Sequence, residues 1–198
     1  AAAQAPLYLT RRGDQFWYTR LPDANGDSTT VYLAFNGYPG YFSFWRQSRA
    51  LMKYIDRHNA DRLIIDLRNN TGGNFYKGRR LLIPGLRKRL QDPGQLYTLT
   101  GPATFSAGMT NAADFRRELG AILVGEPTGA RPNQYQESGD FTLPNSGLRV
   151  TISRRYYQFQ EEDTPGVLPD VHIVPTWEDW QSGRDPALIW ILMQPLRS

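Results

Sequence analysis

The stretch Arg62–Gly73, RLIIDLRNNTGG, decides how the rest of the chain is read. Its first half is a short apolar run with the length of a strand buried on both faces, as in parallel sheets. Its second half is a cluster of turn-formers closed by paired glycines. Glycine directly after a strand permits positive φ and a close approach of the backbone to whatever lies opposite. Downstream, Leu96–Thr100 reads as a strand, Ser106–Leu119 as a helix and Ala121–Val124 as a strand. Strand, helix, strand in that order implies parallel pairing through right-handed crossovers.

Working outward, Leu7–Thr10, Gln15–Arg20 and Thr29–Asn36 are rich in aromatic and β-branched residues, and turn-formers separate them. They are expected to form an antiparallel meander, with Asp23–Asp27 (DANGD) as a tight turn. Tyr41, Trp45, Ser48, Met52 and Ile55 recur at helical spacing, predicting a helix that ends near His58. A second helix is expected over Phe75–Arg89, interrupted at Ile83-Pro84-Gly85. Short strands follow at Phe141–Leu143 and Leu148–Arg154, the latter alternating Leu148, Val150 and Ile152. Asp185 before Pro186 has the pattern of an N-cap and first helical residue, starting a terminal helix through Met193. No repeat or linker divides the chain, so one domain over residues 1–198 is expected.

Composition narrows the function. Of 198 residues, 40% are apolar and 21% charged, which is ordinary for a globular domain. No apolar run approaches the ~18 residues of a membrane-spanning helix. With no cysteine there are no disulfides, thiolate metal sites or cysteine nucleophiles, although this fixes no compartment. Two histidines, His58 and His172, argue against a multi-histidine zinc centre. No metal or organic cofactor is implied. The net charge of +4 gathers at Arg79–Arg89 and Arg154-Arg155, where a solvated basic face is the simpler reading. No nucleic-acid-binding motif accompanies it.

A second stretch, Thr104–Ala112 (TFSAGMTNA), places Ser106 where a turn enters a helix. Ala107 and Gly108 are small enough to let a substrate approach there, and a helix N-terminus offers unpaired N–H groups to a developing oxyanion. Local sequence alone favours a plainer role for Ser106, that of N-cap. Asp66 and Arg68 suit a buried ion pair that braces the turn.

DLRNNTGG (66–73), TFSAGMTNA, VGEPTGARPNQY (124–135) and PGVLPDVHIV (165–174) occur in that order. Together they resemble the peptidase domain of tail-specific, or C-terminal processing, serine proteases and of the tricorn protease core. The resemblance covers about residues 29–192. It implies an α/β fold, a ClpP- or crotonase-like spiral of ββα units preceded here by the antiparallel meander. It also implies a serine endopeptidase acting on peptides or unfolded proteins, with Ser106 as nucleophile. Backbone N–H groups of Gly72 or Gly73 and of Ala107 would form the oxyanion hole.

The resemblance is closer to the tricorn type than to the Ser–Lys type. The bacterial processing proteases carry an activating lysine in a segment resembling GKPTFGKG. Here the corresponding stretch is GEPTGARP (125–132), with Arg131 at the lysine position. Arginine stays protonated and cannot accept the serine proton. Its planar fork suits a substrate carboxylate, or a structural ion pair. Lys77 matches no motif and is expected on the surface. In the tricorn type a histidine is the base, oriented by an acidic residue that falls on Asp163, with Glu162 as substitute. A solvated acidic turn explains the run Glu161–Asp163 equally well. Neither histidine fits the base: His58 ends a helix, and His172 follows Pro169-Asp170 on a strand as a surface or edge residue. The expectation is therefore a fragment whose histidine comes from an N-terminal portion outside these residues. The alternatives are a non-catalytic binding module on the same fold, carrying a peptide or apolar ligand, and a crotonase-like acyl-CoA enzyme.

Overall fold

The computed structural model describes residues 5–22, 29–90 and 94–196. The DANGD turn expected at 23–27 lies outside the described residues. The chain is a mixed α/β domain built on one six-stranded sheet in the order β1-β2-β3-β4-β5-β8. Strand β1 (Phe16–Leu21) pairs antiparallel with β2 (Thr30–Phe35). From β2 onward every neighbour is parallel: β3 (Arg62–Asp66), β4 (Leu96–Thr100), β5 (Ile122–Gly125) and β8 (Val171–His172). The hairpin β1–β2 with the next helix makes one ββα unit, after which single helices separate β3, β4 and β5.

Because β2 to β5 follow one another without reversal, right-handed crossovers put all their connecting helices on one face. These are α1 (Tyr41–Arg57), a composite helix, and α4 (Ala107–Leu119). The composite helix consists of α2 (Phe75–Lys77), a π-helical turn (Gly78–Leu82) and α3 (Ile83–Arg87), so the interruption expected at Pro84 begins one turn earlier. Strand alternation then divides the core in two. Val31, Leu33, Phe35, Leu63 and Ile65 face the helices with Phe44, Leu51, Leu86 and Phe115. Tyr32, Ala34, Ile64, Leu99 and Val124 face the other way, where α6 (Pro186–Leu192) covers them with Ala187, Leu188 and Ile191. Asp185 caps α6 as expected, its carboxylate accepting from Leu188 N at 3.1 Å. A short helix, α5 (Trp177–Ser182), precedes it.

Two expectations need correcting. Leu7–Leu9 is a 3₁₀ turn rather than a strand, so the N-terminal part is a hairpin and not a three-stranded meander. Thr10 closes that turn by donating from Oγ1 to Leu7 O, a local bond that competes with strand pairing. The later β segment is also longer than its apolar pattern: β6 (Asn133–Thr142) and β7 (Arg149–Gln158) form a separate two-stranded ribbon of ten-residue strands. Most of that ribbon is exposed, so its polar residues carry no burial signal in the sequence.

Candidate active site

Strands β3 and β4 are parallel neighbours, and the two motif loops leave them side by side at their carboxyl ends. In open α/β sheets that end is where ligands bind. The stem is stitched by Leu67 N donating to Leu99 O and by buried Thr104, whose Oγ1 donates to Leu67 O at 2.9 Å. Asn70, fully buried, does most of the joining. Its carbonyl accepts from Phe105 N at 2.9 Å, its Oδ1 accepts from Gly72 N at 3.1 Å, and its Nδ2 donates to Phe35 O at 2.8 Å.

Ser106 sits in a tight turn in which Gly108 N donates to Phe105 O at 2.9 Å. Its own dihedrals, φ +49° and ψ −119°, are those that a type II′ turn asks of glycine. A serine held there carries strain of about 1–3 kcal/mol. The N-cap reading is not realised: the Ser106 side chain makes no capping hydrogen bond to its helix. Its half-buried hydroxyl has no hydrogen-bond partner among the described residues.

The glycine turn lies directly against it. Gly72 (φ +123°) is so placed that a Cβ there would stand 2.8 Å from Ser106 Cβ. Gly73 (φ +145°) rests on the ring of Tyr38, where a Cβ would meet Cδ2 at 2.6 Å. Gly72 N is engaged by Asn70, whereas Gly73 N and Ala107 N have no acceptor among the described residues. The geometry thus offers one uncommitted N–H from each loop, beside an uncommitted hydroxyl at a helix N-terminus. Such a cluster is suited to an anionic oxygen.

Asp66 and Arg68 form the buried pair expected of them, and extend it. Arg68 reaches Asp66 at 2.6 Å and Asp185, at the start of α6, at 2.7 Å. Tyr32 donates to Asp66 Oδ2 at 2.7 Å, and the ring of Tyr8 lies 3.8 Å from the guanidinium. Burial opposes the Arg68 charge, but the two carboxylates hold its pKa well above even the usual arginine range.

The remaining expected residues are not brought to Ser106. Arg131 and Asp163 contact each other at 3.4 Å on the surface, with side chains 54% and 64% exposed. Glu162 is exposed beside them, its carbonyl accepting from Asn133 Nδ2 at 3.1 Å. Their loops do approach the serine turn indirectly, since Gly129 N donates to Thr104 O at 3.0 Å and Val167 N to Thr128 Oγ1 at 2.8 Å. His58 caps the far end of α1, its ring edge-on to Tyr54, and His172 lies exposed on the edge strand β8. Lys77 is not a free surface residue: it is half-buried and donates from Nζ to Pro39 O. A cavity of about 590 Å³ lies elsewhere, between α4 (Arg116, Arg117) and the segment Gln158–Thr164.

Solved structures carry the same arrangement of strands and helices. The photosystem II D1 C-terminal processing protease superposes with a TM-score of 0.57, at 19% identity, over 88% of this chain and 54% of its own. The fold is that of the C-terminal processing peptidases. A protein assigned as a peptidase from Parabacteroides merdae matches with TM-score 0.67 and 19% identity, over 91% of this chain and 65% of its own. One assigned as an S41 protease from Bacteroides fragilis gives 0.57 and 17%, over 84% and 51%. The chain therefore spans between 51% and 65% of the length of these structures. No model of a known family and no curated protein matches the chain. Sequence reasoning missed Tyr38 and Asn70 within this processing-peptidase fold. Asn70 was visible as part of DLRNNTGG, but Tyr38 follows an unrelated strand and carries no local motif.

Proposed function

We propose that the domain is the peptidase core of a serine endopeptidase, hydrolysing peptide bonds through an acyl-enzyme on Ser106. The observation that carries this reading is the strained, uncapped Ser106, backed by Gly72 and flanked by the free N–H groups of Gly73 and Ala107. A serine that serves its helix would cap it; one held in a glycine conformation with its hydroxyl free is set up to react. Ser106 Oγ attacks the scissile carbonyl and loses its proton to a base. The carbonyl oxygen gains the negative charge and is met by the two N–H groups. The amine leaves with the proton from the base, and water then cleaves the ester by the same route.

The base is a histidine supplied from outside these 198 residues, because no described base reaches the Ser106 hydroxyl and position 131 holds arginine. Asp163 is its orienting carboxylate. The exposed pair with Arg131 is weak enough to be exchanged at little cost. Arg131, once released, is available to a substrate carboxylate. Substrates are peptides or unfolded proteins.

The second reading, a non-catalytic binding module, is favoured by the same lack of a base. A fluorophosphonate probe separates the two, with free imidazole added as a substitute base. Labelling at Ser106 that imidazole accelerates and Ser106→Ala abolishes supports the peptidase reading. No labelling of Ser106 under either condition overturns it. A longer native chain that labels no faster than this one would remove the external histidine.

A further inference from the structure

Tyr38 touches both halves of the candidate oxyanion site and belongs to neither. It stands three residues beyond the end of β2, in the short turn before α1. Its ring supports Gly73 from below, so closely that any side chain at 73 would have to displace it. Behind, the ring is fixed by Phe35, with centroids 4.8 Å apart and edge-on, and by Phe44, stacked at 6.2 Å. Its hydroxyl lies 2.8 Å from Ala107 O and 2.6 Å from Asn111 Oδ1, both in the first turns of α4. Asn111 is held in turn, its Nδ2 lying 3.3 Å from Phe75 O and 3.2 Å from Asp114 Oδ2. Burial pushes the Tyr38 phenol well above its usual pKa, and the Asp114 charge adds to this, so the hydroxyl remains a donor.

From this arrangement we infer that Tyr38 is a positioning residue that sets the spacing between the Gly73 and Ala107 N–H groups. A phenol is a rigid strut of fixed length. One end bears on the glycine loop and the other is hydrogen-bonded to the residue that follows Ser106. Asn70 ties the same two loops, but its Oδ1 accepts from Gly72 N and its carbonyl from Phe105 N, so it holds neither of the two uncommitted donors. Tyr38 is thus the part that keeps those donors converging on one point. The inference rests on the peptidase reading above, because it gives the two N–H groups a common target.

The consequence is selective for charge development. Donors that are misplaced by a fraction of an ångström still bind a substrate carbonyl, but they stabilise the oxyanion less well. Removing the hydroxyl in Tyr38→Phe keeps the ring under Gly73 and frees Ala107. Removing the ring in Tyr38→Leu frees Gly73 as well.

The test measures phosphonylation of Ser106 in the full 198-residue chain with imidazole present, resolving the binding constant of the probe from its maximal rate. Thermal unfolding and circular dichroism of each variant are recorded alongside. Tyr38→Phe is expected to lower the maximal rate about tenfold with the binding constant unchanged, and Tyr38→Leu to lower it about a hundredfold. An uncharged peptide amide should bind all three proteins alike. Tyr38→Phe that is folded and reacts at the wild-type maximal rate overturns the inference while leaving the peptidase reading intact. Wild-type protein that labels no faster than Ser106→Ala overturns both. A loss that appears only in the binding constant, or only as unfolding, reduces Tyr38 to a packing residue and overturns the inference.

Discussion

Gly72 and Ser106 are in van der Waals contact across two loops, and a Cβ on the glycine would come within 2.8 Å of the serine Cβ. The backbone at Gly72 (φ +123°) also lies where L side chains rarely go. Gly72→Ala is therefore expected to destabilise the domain by about 1–3 kcal/mol and to suppress Ser106 labelling. Gly101→Ala is the control: its Cβ would meet only Arg68 Cγ, at an ordinary 3.6 Å. Urea unfolding should place that variant closer to wild type than Gly72→Ala, because its added Cβ meets only an ordinary contact.

Strain at Ser106 predicts an inversion of the usual order of helix residues. Ser106→Ala keeps the positive φ and loses the hydroxyl; Ser106→Gly relaxes the turn. The glycine variant is expected to be more stable than the alanine variant by about 1 kcal/mol, read from denaturation midpoints at equal m-value. Alanine proving the more stable would mean that the turn is not strained.

Arg68 is the shared partner of two buried carboxylates, one on β3 and one at the start of α6. Arg68→Met leaves both without their cation and should cost about 3–5 kcal/mol. Limited proteolysis should then cut first around residues 183–186, because Asp185 loses the ion pair that ties the start of α6 to the sheet.

Acid should loosen α5 before the core. Asp179 belongs to a capping box with Thr176, and that backbone hydrogen bond, assisted by Arg184, holds its carboxyl below the usual aspartate range. A depressed carboxyl pKa contributes stability above the unfolded value and loses it as pH falls through the folded one. Trp177 and Trp180 stack on this helix with centroids 4.9 Å apart. Their fluorescence should change at a pH below 3.8, and Asp179→Asn should remove that transition.

Arg131 and Asp163 are both more than half exposed, so Arg131→Met should shift stability by less than about 0.5 kcal/mol. If released Arg131 meets a substrate carboxylate, the variant should slow cleavage of peptides with a free C-terminus and spare their C-terminal amides. Equal effects on both would assign Arg131 to the surface pair alone.

Much of this architecture is legible in the chain. Val31, Leu33 and Phe35 alternate with Tyr32 and Ala34, and the structure sends the two sets to opposite faces of the sheet. RLIIDL reads as a buried strand because it is buried on both sides, and Asp185-Pro186 starts a helix because its chemistry is local. What the sequence hides is long-range or solvent-facing. Leu7–Leu9 has a strand's composition, but Thr10 closes it into a 3₁₀ turn and Tyr8 packs on Arg68, 60 residues away. The ribbon strand β6 runs through Gln134–Asp140, a polar and mostly exposed stretch with no apolar pattern to announce it. Around Ser106, the glycines can be read from the motif, whereas the partnership of Arg68 with Asp185 spans 117 residues. Tyr38 is 69 residues from Ala107, and only the packed sheet brings the two together.

Asn70 has one further effect. Because a single buried side chain and its own carbonyl hold Gly72, Phe105 and Phe35 at once, the glycine loop and the serine turn are coupled at Gly72 and Phe105. Opening at either of these two amides disturbs the partner that holds the other. Amide hydrogen exchange at Gly72 and Phe105 should then proceed through one shared opening event, with matching protection. The site is either assembled or absent, and its reactivity in solution would track the population of that single closed state.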